Sequence, residues 1–140
     1  MTPVPYLFFN GCTEEALRSY ARIFGSPEPE LLRVGQSPET AIGGDPEAIL
    51  HGSVRIGDGL LYASDWSGAE PMAGVCIAVT GRDEGESRRL FDALAEGGTV
   101  VMPLERTFWS PAFGQVTDRW GTRWMIDTES PTEESPAEDA

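Results

Sequence analysis

The sequence predicts an α+β protein made of two tandem βαβββ modules. Three observations lead there. The order strand, helix, strand, hairpin is read twice along the chain. Residues 51–65 (HGSVRIGDGLLYASD) align without gaps on 113–127 (FGQVTDRWGTRWMID), matching Gly52 to Gly114, Val54 to Val116, Gly59 to Gly121 and Asp65 to Asp127. A chain of 140 residues, 40% of them hydrophobic, is long enough for one compact domain, or two small modules sharing a core, without disulfide or metal staples.

The elements follow in order. VPYLFFNG opens the chain as an apolar, aromatic strand closed by Asn10-Gly11. Thr13 is placed to cap a helix over 13–24, with Glu14 and Glu15 suiting the dipole and Ala16, Leu17, Tyr20, Ile23 and Phe24 recurring at helical spacing. Gly25 stops it, with Pro27 and Pro29 beyond. Residues 30–36 suit a short strand, and 37–48, rich in Pro, Gly and acids, an exposed loop. Gly57-Asp58-Gly59 lies between apolar runs, which predicts a hairpin of strands at 49–56 and 60–66. The second module repeats the plan. AGVCIAVTG is a strand, and Asp83, Glu84 and Glu86 begin a helix that turns Leu90, Phe91 and Leu94 inward and ends at Gly97-Gly98. TVVMPL is a strand, Pro103 to Pro111 a loop, and 113–127 a hairpin turning near Arg119-Trp120-Gly121. The front ends align at an offset of 71 (Tyr20 on Phe91, Pro5 on Cys76) and the hairpins at 62, so the first module carries nine extra residues, where the 37–48 loop lies. The expected organisation is a first module over 1–66, a linker over 67–72, a second module over 73–127 and a disordered acidic tail over 128–140.

Composition removes whole classes of chemistry. All ten basic residues are arginine, so no Schiff-base lysine, lysine general base or Walker-A loop can form. His51 is the single histidine, so a Ser-His-Asp or Cys-His site would have to use it. The net charge of −13 disfavours nucleic acid and anionic membranes as partners, and losing the five tail acids still leaves −8. Cys12 and Cys76 form no metal-ligand pair. The first ten residues lack the basic start and apolar run of a secretory leader, and no apolar stretch is long enough for a membrane span. A cytoplasmic setting with free thiols is expected.

Three strings carry a more specific likeness. PYLFFNGCTEEALRSYARIFG, LHGSVRIGDGLLYASD and GTVVMPLERTFWSPAFGQVTDRWGTRWMI, together spanning about residues 3–127, resemble the PhnB-like branch of the vicinal oxygen chelate superfamily, the glyoxalase, bleomycin-resistance and dioxygenase group. The resemblance implies curved, partly closed sheets around a cavity, within one chain or across a homodimer. Metal-using members place His, Gln or Glu on the first and last strand of each module. The matching positions here hold Pro5, Ala63, Cys76 and Met125, which offer a metal at most one thiolate. No metal and no cofactor is therefore expected. Some relatives carry a demethylubiquinone methyltransferase label, but no glycine-rich cofactor loop follows the first strand, and the chain is small for a methyltransferase domain.

The remaining candidates are aromatic. Tyr6, Phe8, Phe9, Tyr62, Phe108, Trp109, Phe113, Trp120 and Trp124 fall on strands and joining loops, where such side chains suit a planar or amphipathic ligand or simply fill a core. The expected lining is Phe9, His51, Tyr62, Trp109, Phe113 and Trp124, receiving a neutral or cationic apolar ligand. His51 is the best candidate for a general base, with Asp65 a possible orienting carboxylate. Arg106, Arg119 and Arg123 read as solvated surface. Three functions compete: a metal-free protein that sequesters or carries a small apolar or aromatic molecule; a lyase, isomerase or dioxygenase using an unusual metal site or His51 as base; and a protein whose dimer surface is the functional part.

Overall fold

The computed structural model describes residues 1–38 and 44–131. Most of the predicted tail and part of the predicted 37–48 loop fall outside them. The chain divides into two units, Met1–Pro71 and Met72–Ala140. The first contains β1 (Tyr6–Phe9), α1 (Thr13–Phe24), β2 (Glu30–Arg33), a single 3-10 turn (Val34–Gln36), β3 (Ile49–Ile56) and β4 (Gly59–Asp65). The second contains β5 (Ile77–Gly81), α2 (Glu84–Ala95), β6 (Thr99–Glu105), β7 (Phe113–Thr117) and β8 (Arg123–Thr128).

Each unit builds one four-stranded mixed sheet of the same topology, β1-β4-β3-β2 in the first and β5-β8-β7-β6 in the second. The strand before the helix pairs in parallel with the last strand, and every other pair is antiparallel. Neither sheet closes into a barrel. The helix packs on one face of its own sheet and leaves the other as an open face. Alternation along the strands sorts side chains between the two. Leu7, Phe9, Val54, Leu61 and Ala63 are buried on the helix side of the first unit, against Leu17 and Tyr20 of α1. Each large apolar side chain buried this way contributes about 1.5–3 kcal/mol.

Helix ends show how local sequence sets the elements. Gly25 closes α1 at φ 65°, a left-handed conformation that glycine adopts without a Cβ clash. Asp83 caps α2 by accepting from the Glu86 N–H at 2.8 Å, while Glu86 accepts from the Arg82 N–H at 3.0 Å. Thr13 is not the cap expected of it. Cys12 holds the capping position without a side-chain capping bond, and Thr13 is the first helical residue. The acceptor for the Thr13 N–H comes from across the unit, Asp65 Oδ1 at 3.0 Å.

Gly52 and Gly114, matched in the repeat, mark where helix meets sheet. A Cβ on Gly52 would lie 2.8 Å from Leu17 Cδ1, and one on Gly114 would lie 2.9 Å from Phe91 Cε2 and 2.9 Å from the Leu104 Cα. A larger residue at either place would push the helix off the sheet.

The repeat is real in topology, but its alignment slips by one residue after the hairpin turn. Gly52 pairs with Ala63 and Gly114 with Ile126; Val54 pairs with Leu61 and Val116 with Trp124. Residues 56–59 separate the paired Arg55 and Leu60, whereas the longer turn 118–122 separates Thr117 and Arg123. Trp124 therefore corresponds to Leu61, Met125 to Tyr62 and Thr128 to Asp65. A one-residue slip exchanges the faces of a strand. β8 also runs one residue past the expected module end, and β5 begins at Ile77, later than the predicted strand.

Candidate functional site

The open face of the first unit carries an aromatic cluster. Tyr6 lies beside Tyr62 in the β1–β4 ladder, and His51 reaches the same face from β3. Ring centroids are 5.6 Å apart for Tyr6 and His51, 5.0 Å for His51 and Tyr62, and 6.1 Å for Tyr6 and Tyr62. Phe8 extends the cluster, 5.1 Å from Tyr6 and 5.3 Å from Trp66. These are tilted and edge-to-face contacts, the arrangement that aromatic quadrupoles favour. Tyr6, Phe8 and Trp66 are nonetheless 40%, 49% and 53% exposed. At the centre the Tyr6 hydroxyl lies 3.0 Å from His51 Nδ1.

The open face of the second unit carries a smaller stack. Trp109 sits 5.3 Å from Phe113, and Phe108 stands edge-on to Trp109 at 4.9 Å. The loop that presents them is fixed by its own hydrogen bonds. The Thr107 N–H donates to the Ser110 carbonyl at 2.9 Å, and the Ser110 hydroxyl donates to the Ala112 carbonyl at 2.9 Å. Phe108 is 97% exposed and Trp109 54%.

The six expected lining residues thus divide. His51 and Tyr62 share the open face of the first unit, and Trp109 and Phe113 that of the second. Phe9 and Trp124 do not join them. Phe9 follows Phe8 by one residue and so points to the helix side, where it is buried. Trp124 is 0% exposed, and its indole Nε1–H donates to Asp118 Oδ2 at 2.9 Å. Tyr6, Phe8 and Trp66 were not among the expected lining. Tyr6 and Phe8 share a strand parity, but choosing their face needed the β1–β4 register.

Asp65 does not orient His51. It lies on the helix side, where Oδ1 accepts from Thr13 N–H and Oδ2 accepts from Ile49 N–H at 2.8 Å. Both oxygens are committed to tying the start of α1 and the start of β3 to β4. The second unit does the same with a hydroxyl. Thr128 Oγ1 donates to the Ala112 carbonyl at 2.8 Å and lies 2.6 Å from Ser87 Oγ on α2.

The metal positions that the sequence resemblance implies can be tested by the donors present. The ladders set Tyr6 beside Tyr62 and Ala78 beside Met125 on the open faces. Ala63 is fully buried on the helix side, while Pro5 and Cys76 precede their strands. A phenol pair, a methyl group and a thioether do not fit a divalent ion. Among the described residues no three His, Cys, Asp or Glu side chains come together.

A groove of about 970 Å³ runs past the start of α1, lined in part by Cys12, Glu14, Arg18, Arg33, Glu47 and Trp66. Its two arginines are both engaged by carboxylates. Arg33 and Arg18 bond Glu14 at 2.9 and 3.0 Å, and hold its carboxyl below the usual range, Arg33 most strongly.

Paired βαβββ units of this topology define the glyoxalase/bleomycin-resistance fold, shared at 10% identity with a glyoxalase/bleomycin resistance protein from Albidiferax ferrireducens and at 14% with the fosfomycin resistance protein FosX from Mesorhizobium loti. Residues 2–127 match the family model of 3-demethylubiquinone-9 3-methyltransferase. Protein YjdN of Escherichia coli is 32% identical over 135 residues, covering 88% of this chain and 92% of that protein. The crystal structure of protein PA1353 from Pseudomonas aeruginosa is 41% identical with a TM-score of 0.83, covering 92% and 98%. A PhnB protein from Bacillus cereus is 24% identical with a TM-score of 0.75, covering 92% and 100%. The chain belongs to this 3-demethylubiquinone-9 3-methyltransferase family.

Proposed function

We propose that the protein binds a small apolar or aromatic molecule without a metal, sequestering or carrying it. One observation carries this reading: the half-exposed cluster of Tyr6, Phe8, His51, Tyr62 and Trp66 on an open sheet face. Aromatic side chains left to water in a contiguous patch mark an interaction surface, and their edges and faces match a planar ligand. The activity in the family's name is not part of the proposal. A single glycine follows β1, and Asp65 already occupies the start of α1.

The probe is N-phenyl-1-naphthylamine, a neutral fluorescent aromatic. Its emission should rise and shift to the blue on titration, with and without EDTA. Phe8→Ser should weaken binding about 5- to 30-fold, the loss of one aromatic contact of roughly 1–2 kcal/mol. No binding, or binding abolished by EDTA, would overturn the proposal.

A lyase, isomerase or dioxygenase using His51 as general base is the second reading, favoured by the Tyr6–His51 hydrogen bond. It requires turnover of a bound compound that His51→Phe abolishes. Saturable binding without turnover favours the first.

We also propose a homodimer in the cytoplasm. Leu32 on one unit and Val101, Met102 and Phe108 on the other are large apolar side chains left exposed, which a second copy would cover. Light scattering should give twice the 15.2 kDa chain mass at micromolar concentration, and a truncation after Thr128 should still give twice its own, smaller chain mass. A species at the chain mass would refute the dimer.

A further inference from the structure

We propose that the aromatic face of the first unit selects planar ligands carrying a neutral acceptor oxygen, such as an aromatic carbonyl, through an N–H donated by His51 Nε2. This rests on the binding reading above and adds the chemistry of what is bound.

The argument starts from the Tyr6–His51 contact. The Tyr6 hydroxyl lies 3.0 Å from Nδ1, so one atom donates and the other accepts. A phenol is a better donor than an imidazole N–H, and an imidazole nitrogen a better acceptor than a phenol oxygen. The pair therefore settles as O–H to Nδ1. That bond fixes the tautomer and puts the ring hydrogen on Nε2. Tyr6 is in this sense a positioning residue.

Nε2 makes no hydrogen bond within the protein among the described residues; the imidazole also makes ring contacts with Tyr6 and Tyr62. The imidazole is partly exposed, at the centre of the cluster. In the free protein water satisfies the N–H. A flat hydrocarbon laid across the cluster expels that water and strands the donor. A ligand with an oxygen at that place restores the bond. Stranding a donor costs more than forming a neutral hydrogen bond gains, so discrimination comes chiefly from the ligand that lacks the oxygen.

The test compares 2-acetylnaphthalene with 2-isopropenylnaphthalene, which replaces the carbonyl oxygen by CH2 at nearly constant shape. From desolvation alone the alkene should bind more tightly. The proposal expects the ketone to bind about fivefold or more tightly than the alkene. His51→Phe should erase that preference, read as the ratio of the two affinities. His51→Gln, which keeps an N–H donor, should restore part of it. Because His51 is the single histidine, one long-range 1H–15N spectrum reads its tautomer directly. Nε2 should be protonated in the native protein, and Tyr6→Phe should give a mixture of tautomers together with a smaller ketone preference. Equal or tighter binding of the alkene, a preference that survives His51→Phe, or a proton on Nδ1 would overturn the proposal and leave the binding face standing. If the naphthylamine probe does not bind, both fall. If the naphthylamine alone binds, only this proposal falls.

Discussion

Replacing Trp124 by alanine should destabilise the protein by about 3–5 kcal/mol, the range for removing a large aromatic from a core that cannot collapse around the loss. Trp124 is 0% exposed and pairs with Val116 on the helix side of β8, next to Ile77 of β5. The substitution also strands part of a polar arrangement. Asp118 is buried in the β7–β8 turn and accepts from the Trp120 N–H, the Thr122 N–H and the Trp124 indole, each at 2.9 Å. Without the indole, one carboxylate oxygen loses a donor in a place water reaches poorly. Trp109→Ala, by contrast, removes a half-exposed ring that rests on Phe113, and should cost under about 1 kcal/mol of stability. Urea denaturation of both variants checks the difference. Equal destabilisation would mean that the loop tryptophan is core. If the second open face also takes part in binding, Trp109→Ala weakens the naphthylamine probe by about 1–2 kcal/mol while the fold stays intact.

The contrast between these tryptophans shows what the sequence made legible. Both helices could be read because their signals are local. The periodicity of Ala16, Leu17 and Tyr20 and of Leu90, Phe91 and Leu94 survives without knowledge of the partner strands, and Asp83 caps α2 by a contact three residues long. The doubled element order could be read for the same reason. Which face a strand residue occupies could not. Trp124 and Tyr62 align in sequence, yet one extra residue in the 118–122 turn sends them to opposite faces. Phe9 was misassigned by the same parity problem, and Tyr6 and Phe8 were missed because β1 finds its register only against β4, more than fifty residues later. His51 was recognised from rarity alone. The Tyr6 hydroxyl that fixes its ring, 45 residues away, left no local trace.

Asp65 is where this distinction has its largest consequence, because the sequence suggested one role for it and the geometry commits it to another. Its two oxygens accept from the N–H groups of Thr13 and Ile49, and no bond connects it to His51, which lies on the other face of the sheet. Bonds from backbone donors to a carboxylate are worth about 1.5–3 kcal/mol each, so Asp65→Ala should cost on the order of 3 kcal/mol once local relaxation and entering water recover part of the loss. Asp65→Asn should cost less. It keeps one carbonyl oxygen for one N–H, and turns an amide NH2 toward the other. Thr128→Val makes the parallel change in the second unit, where a hydroxyl joins Ala112 and Ser87, and should cost about 1–2 kcal/mol because the lost bonds are neutral. All three effects should appear as lower urea midpoints. The affinity of the naphthylamine probe, measured where each variant is still folded, should stay within about twofold of the native value, a change of under roughly 0.5 kcal/mol. An Asp65→Ala protein of native stability that had lost the probe would place the carboxylate at the binding face after all, and would return it to the role of orienting His51.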